Sequence, residues 1–201
     1  AFLWLFERDF AFAGLSSGQR FWAGLFQSVT ARTAGFASVD LSHLSDPGSL
    51  VMDVLMLVGG SPASTAGGFK TTTFAILLLG IAAQAHRRND VTVFHRRLDS
   101  ESVTRAWTIS AIYFFAVIIG TVAVSAAEPF GLKEALFEVC SAIGTVGLTM
   151  GVTPTLGLFS RVLLIVFMFA GKLGAMTLAL ALAETASSDD VQRPLGNVLI
   201  G

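Results

Sequence analysis

The chain has 201 residues, of which 53% are hydrophobic and 13% are charged, and its mean hydropathy is +0.71. This composition excludes an ordinary soluble domain and predicts an integral membrane protein. The net charge of −1 argues against nucleic acid as a partner, and the single cysteine, Cys140, excludes an internal disulfide.

The first segment, AFLWLFERDF, is an apolar run stopped by charge, and it is predicted to be the end of an earlier spanning helix of a larger protein. The next apolar segment, Arg20–Phe36, is too short to cross a bilayer and too apolar to be an ordinary loop. We expect a short amphipathic helix there, running into a turn of small residues at Thr33–Phe36.

The tract Ser49–Ala85 would be about twice as long as the bilayer is thick if it formed one helix. Its middle, Gly59–Gly68, contains only Gly, Ser, Pro, Ala and Thr, which predicts a break in the helix. A packing kink is the alternative, but a kink needs only one proline or a glycine pair, and this run is longer. Lys70 follows the run and is predicted to extend toward the inner interface.

The segment His86–Arg105 contains five arginines, and the positive-inside rule predicts that it is cytoplasmic. Such a basic loop can also bind anionic lipid. The glycine turns are then predicted to face outward, and the C-terminal tail is predicted to lie inside.

Two further tracts, Thr104–Ala127 and Leu158–Leu182, have the length of simple spanning helices. Between them, Leu132–Leu148 is a second short apolar segment that ends in a glycine turn, Thr145–Leu148. Aligning the two turns predicts an internal repeat of span, half-helix, glycine turn and span.

Thr-x-Gly turns after half-helices are typical of ion filters. Irregular backbone at membrane depth is tolerated only where it is buried in protein or lines a watery cavity. In potassium channels, loops of this kind turn carbonyl oxygens toward an ion and replace its hydration shell. The alternative is that Gly35 and Gly147 only let helices pack closely.

Four motifs, SVTARTAGF, GGSPASTAGGFKTTT, GTVGLTMG and FMFAGKLGAMTLALAL, resemble the membrane subunits of Ktr-type potassium transporters (the KtrB family), in the Trk/Ktr/HKT superfamily. The resemblance implies an all-α integral membrane fold of repeated M1, pore helix and M2 units of potassium-channel type. It implies that this chain is the C-terminal half. The implied parts are a third pore repeat (1–86), a cytoplasmic basic loop (87–103), a fourth pore repeat (104–183) and a cytoplasmic tail (184–201).

By the same resemblance, the chain takes up potassium across the cell membrane through a gated pore. The implied selectivity filter consists of Thr33, Ala34, Gly35, Phe36, Thr145, Val146, Gly147 and Leu148. The implied gate is an intramembrane loop in the broken M2 helix, formed by Gly59, Gly60, Ser61, Pro62, Ala63, Ser64, Thr65, Ala66, Gly67 and Gly68. Lys172, a charge inside an apolar span, is implied as a second constriction, with snorkelling to the interface as the alternative.

The resemblance further implies a homodimer that is completed by the first half of the same polypeptide and seated on a cytosolic nucleotide-binding ring of the KtrA type. Potassium is the implied transported ion and sodium a candidate activator, with no organic cofactor and no enzymatic activity. One alternative is a related Na⁺/K⁺ transporter subunit associated with a sodium-translocating ATPase. A remoter alternative is an intramembrane serine protease using Ser61 or Ser64, which would need a general base nearby, whereas the histidines fall in polar loops.

Overall fold

The computed structural model describes residues 2–62, 64, 66–86, 90–93 and 96–173. Within these residues the α-helices are α1 (Phe2–Phe6), α2 (Ser17–Thr30), α3 (Asp46–Leu57), α4 (Thr71–Ala85), α5 (Ser100–Ala127), α6 (Leu132–Ile143) and α7 (Leu158–Leu173). Short 3-10 turns cover Leu41–His43 and Thr153–Thr155, and β1 (Thr92–Val93) pairs with β2 (Arg96–Arg97) in an antiparallel ladder. Ala63 and Thr65 of the predicted gate loop, the end of the fourth predicted repeat after Leu173 and the predicted tail 184–201 lie outside the described residues.

Local capping signals explain where the shorter helices begin. Before α2, the Ser16 backbone amide donates to the Gln19 side chain at 2.9 Å, and the Gln19 amide donates back to the Ser16 hydroxyl at 3.5 Å. This reciprocal capping box satisfies amides that have no partner within the helix. Before α3, the Ser45 hydroxyl accepts from the Gly48 amide at 3.1 Å, and Pro47 lies in the first turn.

Helix α5 begins earlier than the sequence predicted. The Asp99 carboxylate accepts from the Ser102 amide at 2.8 Å, and this hydrogen bond holds the pKa of the Asp99 carboxyl below its usual range. Because Asp99 caps the helix, α5 starts at Ser100 instead of Thr104, and the helix extends into the segment predicted as a loop. Among the described residues, α5 is the helix that is both long and apolar enough to cross a membrane, and α4 is apolar but shorter.

The long tract in the first half of the chain contains two helices, α3 and α4, and the described residues in the interval between them form no helix. The residues that flank the interval, Val58 and Phe69, form a parallel bridge. The Gly59 amide donates to the Phe69 carbonyl at 2.9 Å, and the Phe69 amide donates to the Leu57 carbonyl at 3.2 Å. The two ends of the interval are therefore held side by side.

Helix α6 lies at the centre of the packing, because it contacts α3, α5 and α7. Its last residues, from Phe137 to Ile143, are all buried. Helix α2 differs from α6, because it carries exposed apolar side chains: Phe21, Trp22, Leu25, Phe26 and Val29. The two half-helices predicted from the sequence thus have different surroundings in this chain.

Two parts of the chain have the same order of elements: a short helix, a turn, a 3-10 turn and a second helix. The distance in sequence from Thr33 to Thr145 equals the distance between the two 3-10 turns. It also equals the distance from the start of α3 to the start of α7. In each part a glutamate that follows the preceding helix binds near the start of the second helix. Glu7 accepts from the Ser45 amide at 3.1 Å and from the Ser45 hydroxyl at 2.5 Å, and Glu128 accepts from the Gly157 amide at 2.8 Å.

The Glu7 contact is fully buried and tightly fitted. A side chain on Gly48 would overlap the Glu7 carboxylate, so the approach requires a glycine there. A carboxylate at a helix N-terminus is stabilised by the helix dipole and by the free amides. The start of α3 is also held by Lys133 of α6, which donates to the Leu44 carbonyl at 2.6 Å and pairs with Asp46 at 2.9 Å.

Replacing Glu7 with alanine is expected to lower the free energy of unfolding by about 1–3 kcal/mol, because the buried amide and hydroxyl of Ser45 lose their acceptor. Thermal unfolding of the purified protein in detergent measures the effect. Glu128→Ala is the control, because Glu128 makes the comparable contact near the start of α7 with a partly exposed carboxylate, and a smaller loss is expected. Equal losses in the two variants would contradict the role assigned to burial at Glu7.

Candidate functional site

The two predicted turns have the same unusual backbone. Thr33 has a φ of 66° and Thr145 a φ of 53°, and they are the non-glycine residues with positive φ in the described part of the chain. Two residues later, Gly35 and Gly147 have φ values of 77° and 89°. Left-handed backbone strains a residue with a side chain, so its recurrence at both threonines marks a constrained conformation.

The turns also meet in space. Gly35 lies against the Val146 carbonyl oxygen so closely that a side chain on Gly35 would overlap it, and Gly147 lies just beyond. Thr33–Phe36 and Thr145–Leu148 are far apart in sequence, yet the fold brings these two turns together. In this chain Ala34, Phe36 and Gly147 are exposed, whereas Val146 and Leu148 are buried.

Each turn is tied to the helix that precedes it. In the first turn, the Thr30 hydroxyl at the end of α2 accepts from the Phe36 amide at 2.8 Å and donates to the Phe36 carbonyl at 2.7 Å. In the second turn, the Val146 amide donates to the Ser141 carbonyl at 2.9 Å. The backbone around each glycine is therefore fixed by hydrogen bonds to the preceding helix.

The interval between α3 and α4 contacts the second turn. The Gly67 amide donates to the Thr145 hydroxyl at 3.0 Å, and a side chain on Gly67 would overlap that hydroxyl. At the other end of the interval, a side chain on Gly59 would overlap the Gly67 carbonyl. The described part of the predicted gate loop thus lies against the base of a predicted filter turn.

Lys70 contacts this loop directly. Its ammonium donates to the Ala66 carbonyl at 2.7 Å and to the Ser64 carbonyl at 3.1 Å. The prediction that Lys70 extends toward the interface is therefore wrong, because the loop carbonyls provide acceptors closer at hand. Periodicity in the sequence could not have found this contact, since it depends on how the loop folds back over its own end.

Lys172 lies near the end of α6. The residue before it, Gly171, approaches the Ile143 carbonyl so closely that a side chain on Gly171 would overlap this oxygen. Ile143 is the last residue of α6 and is followed by the second turn. Lys172 itself is exposed in this chain, and its part in a constriction remains a prediction.

Comparison with known proteins identifies the family. The sequence matches the family described as TrkH, cation transport protein, over residues 1–193. The chain belongs to this family. This match and the individual relatives described next confirm the predicted resemblance to Ktr-type transporters.

Two relatives have similar sequences. The chain is 36% identical to Ktr system potassium uptake protein B of Bacillus subtilis (strain 168) over 182 residues, which cover 90% of this chain and 41% of the relative. It is also 36% identical to the potassium/sodium uptake protein NtpJ of Enterococcus hirae, with 88% of this chain and 40% of the relative covered. The chain spans about two fifths of the length of these relatives.

The structure is similar to the crystal structure of the potassium transporter TrkH from Vibrio parahaemolyticus. The TM-score is 0.73 and the identity 22%, and the similarity covers 92% of this chain and 41% of the other. At this identity the similarity concerns the fold alone. The sequence predicted an all-α fold, and the described residues are mostly helical, with the short ladder of β1 and β2 as a difference from that prediction.

Gly35→Ala is expected to destabilise this TrkH-family protein more than Gly14→Ala does. Both residues have positive φ, which costs a side chain about 1–2 kcal/mol. Only Gly35→Ala also displaces a carbonyl oxygen, because in the described chain a side chain on Gly14 meets nothing within 4 Å. Melting temperatures of the purified variants test this expectation, and equal shifts would argue against close contact between the turns.

Proposed function

We propose that this chain forms two of the repeats around a potassium pore, with Thr33–Phe36 and Thr145–Leu148 contributing to its filter. The single observation that carries the proposal is the contact between Gly35 and Val146, which joins two turns of matching backbone. A relative named as a potassium uptake protein supports potassium as the ion. The conclusion is uptake of potassium through a filter-lined pore.

Elementary electrostatics favour a cation at these turns. Each turn follows the C-terminal end of a short helix, α2 or α6, where unpaired carbonyl groups carry partial negative charge. A positive φ at Thr and Gly redirects successive carbonyls, so that several oxygens can approach one ion and replace its water. Transport by this route needs no covalent chemistry, and the protein is proposed to have no enzymatic activity.

Two repeats do not close a pore, and the chain spans about two fifths of its relatives' length. We propose that the first half of the same polypeptide supplies the remaining filter turns and that the working unit is a homodimer in the cell membrane. A cytosolic nucleotide-binding ring of the KtrA type would bind the basic segment that precedes α5 and the C-terminal tail. Both are assigned to the cytoplasmic side by the positive-inside rule.

The interval Gly59–Gly68 is proposed as the gate of this pore. Its support is the hydrogen bond from Gly67 to Thr145, which holds the loop against the filter turn, and the contact of Lys70 with the loop carbonyls. Lys172 is proposed to add a positive charge beside the path, since Gly171 packs against the end of α6. Opening the path requires the loop to leave the Thr145 hydroxyl.

Combined uptake of potassium and sodium is the second candidate function. It is favoured by the similarity to a relative named as a potassium/sodium uptake protein. Selectivity depends on the size and stiffness of the whole set of oxygens around the ion, to which this chain contributes two turns. Sodium therefore remains in the proposal both as a competing ion and as a candidate activator.

Expressing the gene in cells without their own potassium uptake systems tests the filter. The wild-type gene is expected to restore growth and uptake at low potassium. Gly147→Ser is expected to weaken potassium affinity by about tenfold or more or to admit sodium, because the left-handed backbone at Gly147 strains any side chain. Gly14→Ser, a positive-φ glycine outside the proposed filter, is the control. Wild-type protein that reaches the membrane but moves no potassium would refute the pore.

Lys70→Met is expected to raise potassium uptake measured without the regulatory ring, by about tenfold, because the loop loses charge-assisted hydrogen bonds to two of its carbonyls. Lys70→Arg, which retains the positive charge and its donors, is the control and is expected to stay near the wild-type rate. Unchanged uptake in Lys70→Met, at equal protein in the membrane, would contradict the gating role of the loop.

A further inference from the structure

A buried glutamate in α6 binds the segment that follows the second turn. Glu138 is 4% exposed, and both of its carboxylate oxygens accept hydrogen bonds. One oxygen accepts from the Thr149 hydroxyl and from the Met150 amide, the latter at 3.3 Å. The other accepts from the Thr153 hydroxyl at 2.9 Å. The carboxylate thus joins α6 to three residues beyond the proposed filter.

The acceptors and donors around Glu138 form one connected network. The Thr149 and Thr153 hydroxyl oxygens are 2.7 Å apart, and the Thr149 hydroxyl also accepts from the Gly151 amide at 2.9 Å. Hydrogen bonds to a carboxylate are shorter and stronger than those between neutral groups. A network in which the members support one another holds its geometry better than separate bonds would.

This network spans the second turn. Residues 145–148 leave the end of α6, and Thr149 and Met150 return to the side of the same helix at Glu138. The entry to the turn is fixed by the Val146 amide on the Ser141 carbonyl at 2.9 Å. Since both ends of the turn are tied to one rigid helix, the turn cannot widen without breaking contacts at Glu138.

The first turn is held by different hydrogen bonds. There the Thr30 hydroxyl binds the Phe36 backbone directly. The position that corresponds to Glu138, by the alignment of the two turns, is Phe26, which is exposed and apolar. The carboxylate is therefore peculiar to the second turn and is not a general requirement for this backbone.

We propose that Glu138 is a positioning residue that limits the width of the second turn and thereby sets the preference of the pore for potassium over sodium. The inference rests on the proposed filter and adds to it the residue that controls the stiffness of one filter turn. A stiff ring of oxygens matched to a larger ion cannot contract around a smaller one, so stiffness favours potassium. Glu138 acts through Thr149, Met150 and Thr153, since it is too buried to line the path itself.

The first experiment measures potassium uptake and its inhibition by sodium for Glu138→Gln and Glu138→Ala, in cells without their own uptake systems. The expected result is a fall in the ratio of potassium to sodium affinity by about tenfold, as for loss of a charge-assisted hydrogen bond. Glu134→Gln is the matched control, because it makes the same change one turn earlier on α6, and it is expected to leave the ratio unchanged.

The second experiment keeps the test valid where a substitution at Glu138 prevents folding. Thr153→Val removes one hydroxyl from the network and is expected to lower the ratio of potassium to sodium affinity. Thr153→Ser keeps the hydroxyl and is expected to retain the wild-type ratio. Thr149→Val combined with Glu138→Gln is expected to change the ratio no more than Glu138→Gln alone, because both act through one network.

The outcomes separate this inference from the proposed filter. An unchanged ratio in the Glu138 and Thr153 variants, together with an altered ratio in Gly147→Ser, would overturn the role of Glu138 and leave the filter intact. An unchanged ratio in all of them, Gly147→Ser included, would overturn the filter and this inference together. A loss of maximal uptake with an unchanged ratio would make Glu138 a structural residue only.

Discussion

Polar backbone groups that leave a helix inside the protein must find partners there, and this requirement shapes the irregular segments of the chain. The first turn is closed by the Thr30 hydroxyl, and the second is closed by Ser141 and Glu138. The loop between α3 and α4 is held by its own ends, by Lys70 and by Thr145. The side chains that bind these segments are therefore as important to the site as the glycines within them.

The end of α6 is the point at which these segments converge. Gly144 lies against the Met56 carbonyl of α3, and Gly171 of α7 lies against the Ile143 carbonyl. The loop reaches the next residue, Thr145, through Gly67. At Gly144 and Gly171 backbone contacts backbone, and at Gly67 backbone contacts the Thr145 side chain. Each approach is so close that only glycine permits it. A side chain at any of these positions would push a neighbouring element away from the second turn.

The two similar halves of the chain differ where the second helix of each passes the turns. By the same alignment that pairs Gly35 with Gly147, Gly59 corresponds to Gly171 and Gly60 to Lys172. In the first half, two glycines followed by Ser61 and Pro62 end the helix, because these residues have low helix propensity. In the second half, Lys172 and Leu173 continue the helix. A small change in local composition thus turns one helix into a loop.

The sequence alone predicted the features that depend on local chemistry. These were the membrane character, the positions of the glycine turns and the break between α3 and α4, whereas the family was identified by the resemblance of four motifs. Composition, helix propensity and the freedom of glycine act within a few residues, so they can be interpreted from the sequence without a structure. The start of α5 was missed by a few residues, although the capping signal at Asp99 is also local.

Contacts between distant segments could not be predicted in this way. The approach of Gly35 to Val146, the bond from Gly67 to Thr145 and the bonds of Glu138 depend on how segments separated in the sequence fold against one another. The signal available for the last of these was a glutamate in the apolar second half of α6, followed in the sequence by Thr149 and Thr153. Its meaning depends on the chain reversing at Gly147, which brings those hydroxyls back to α6. Local sequence determined which segments leave the helices, and packing determined what those segments touch, because long-range proximity arises only when the helices assemble.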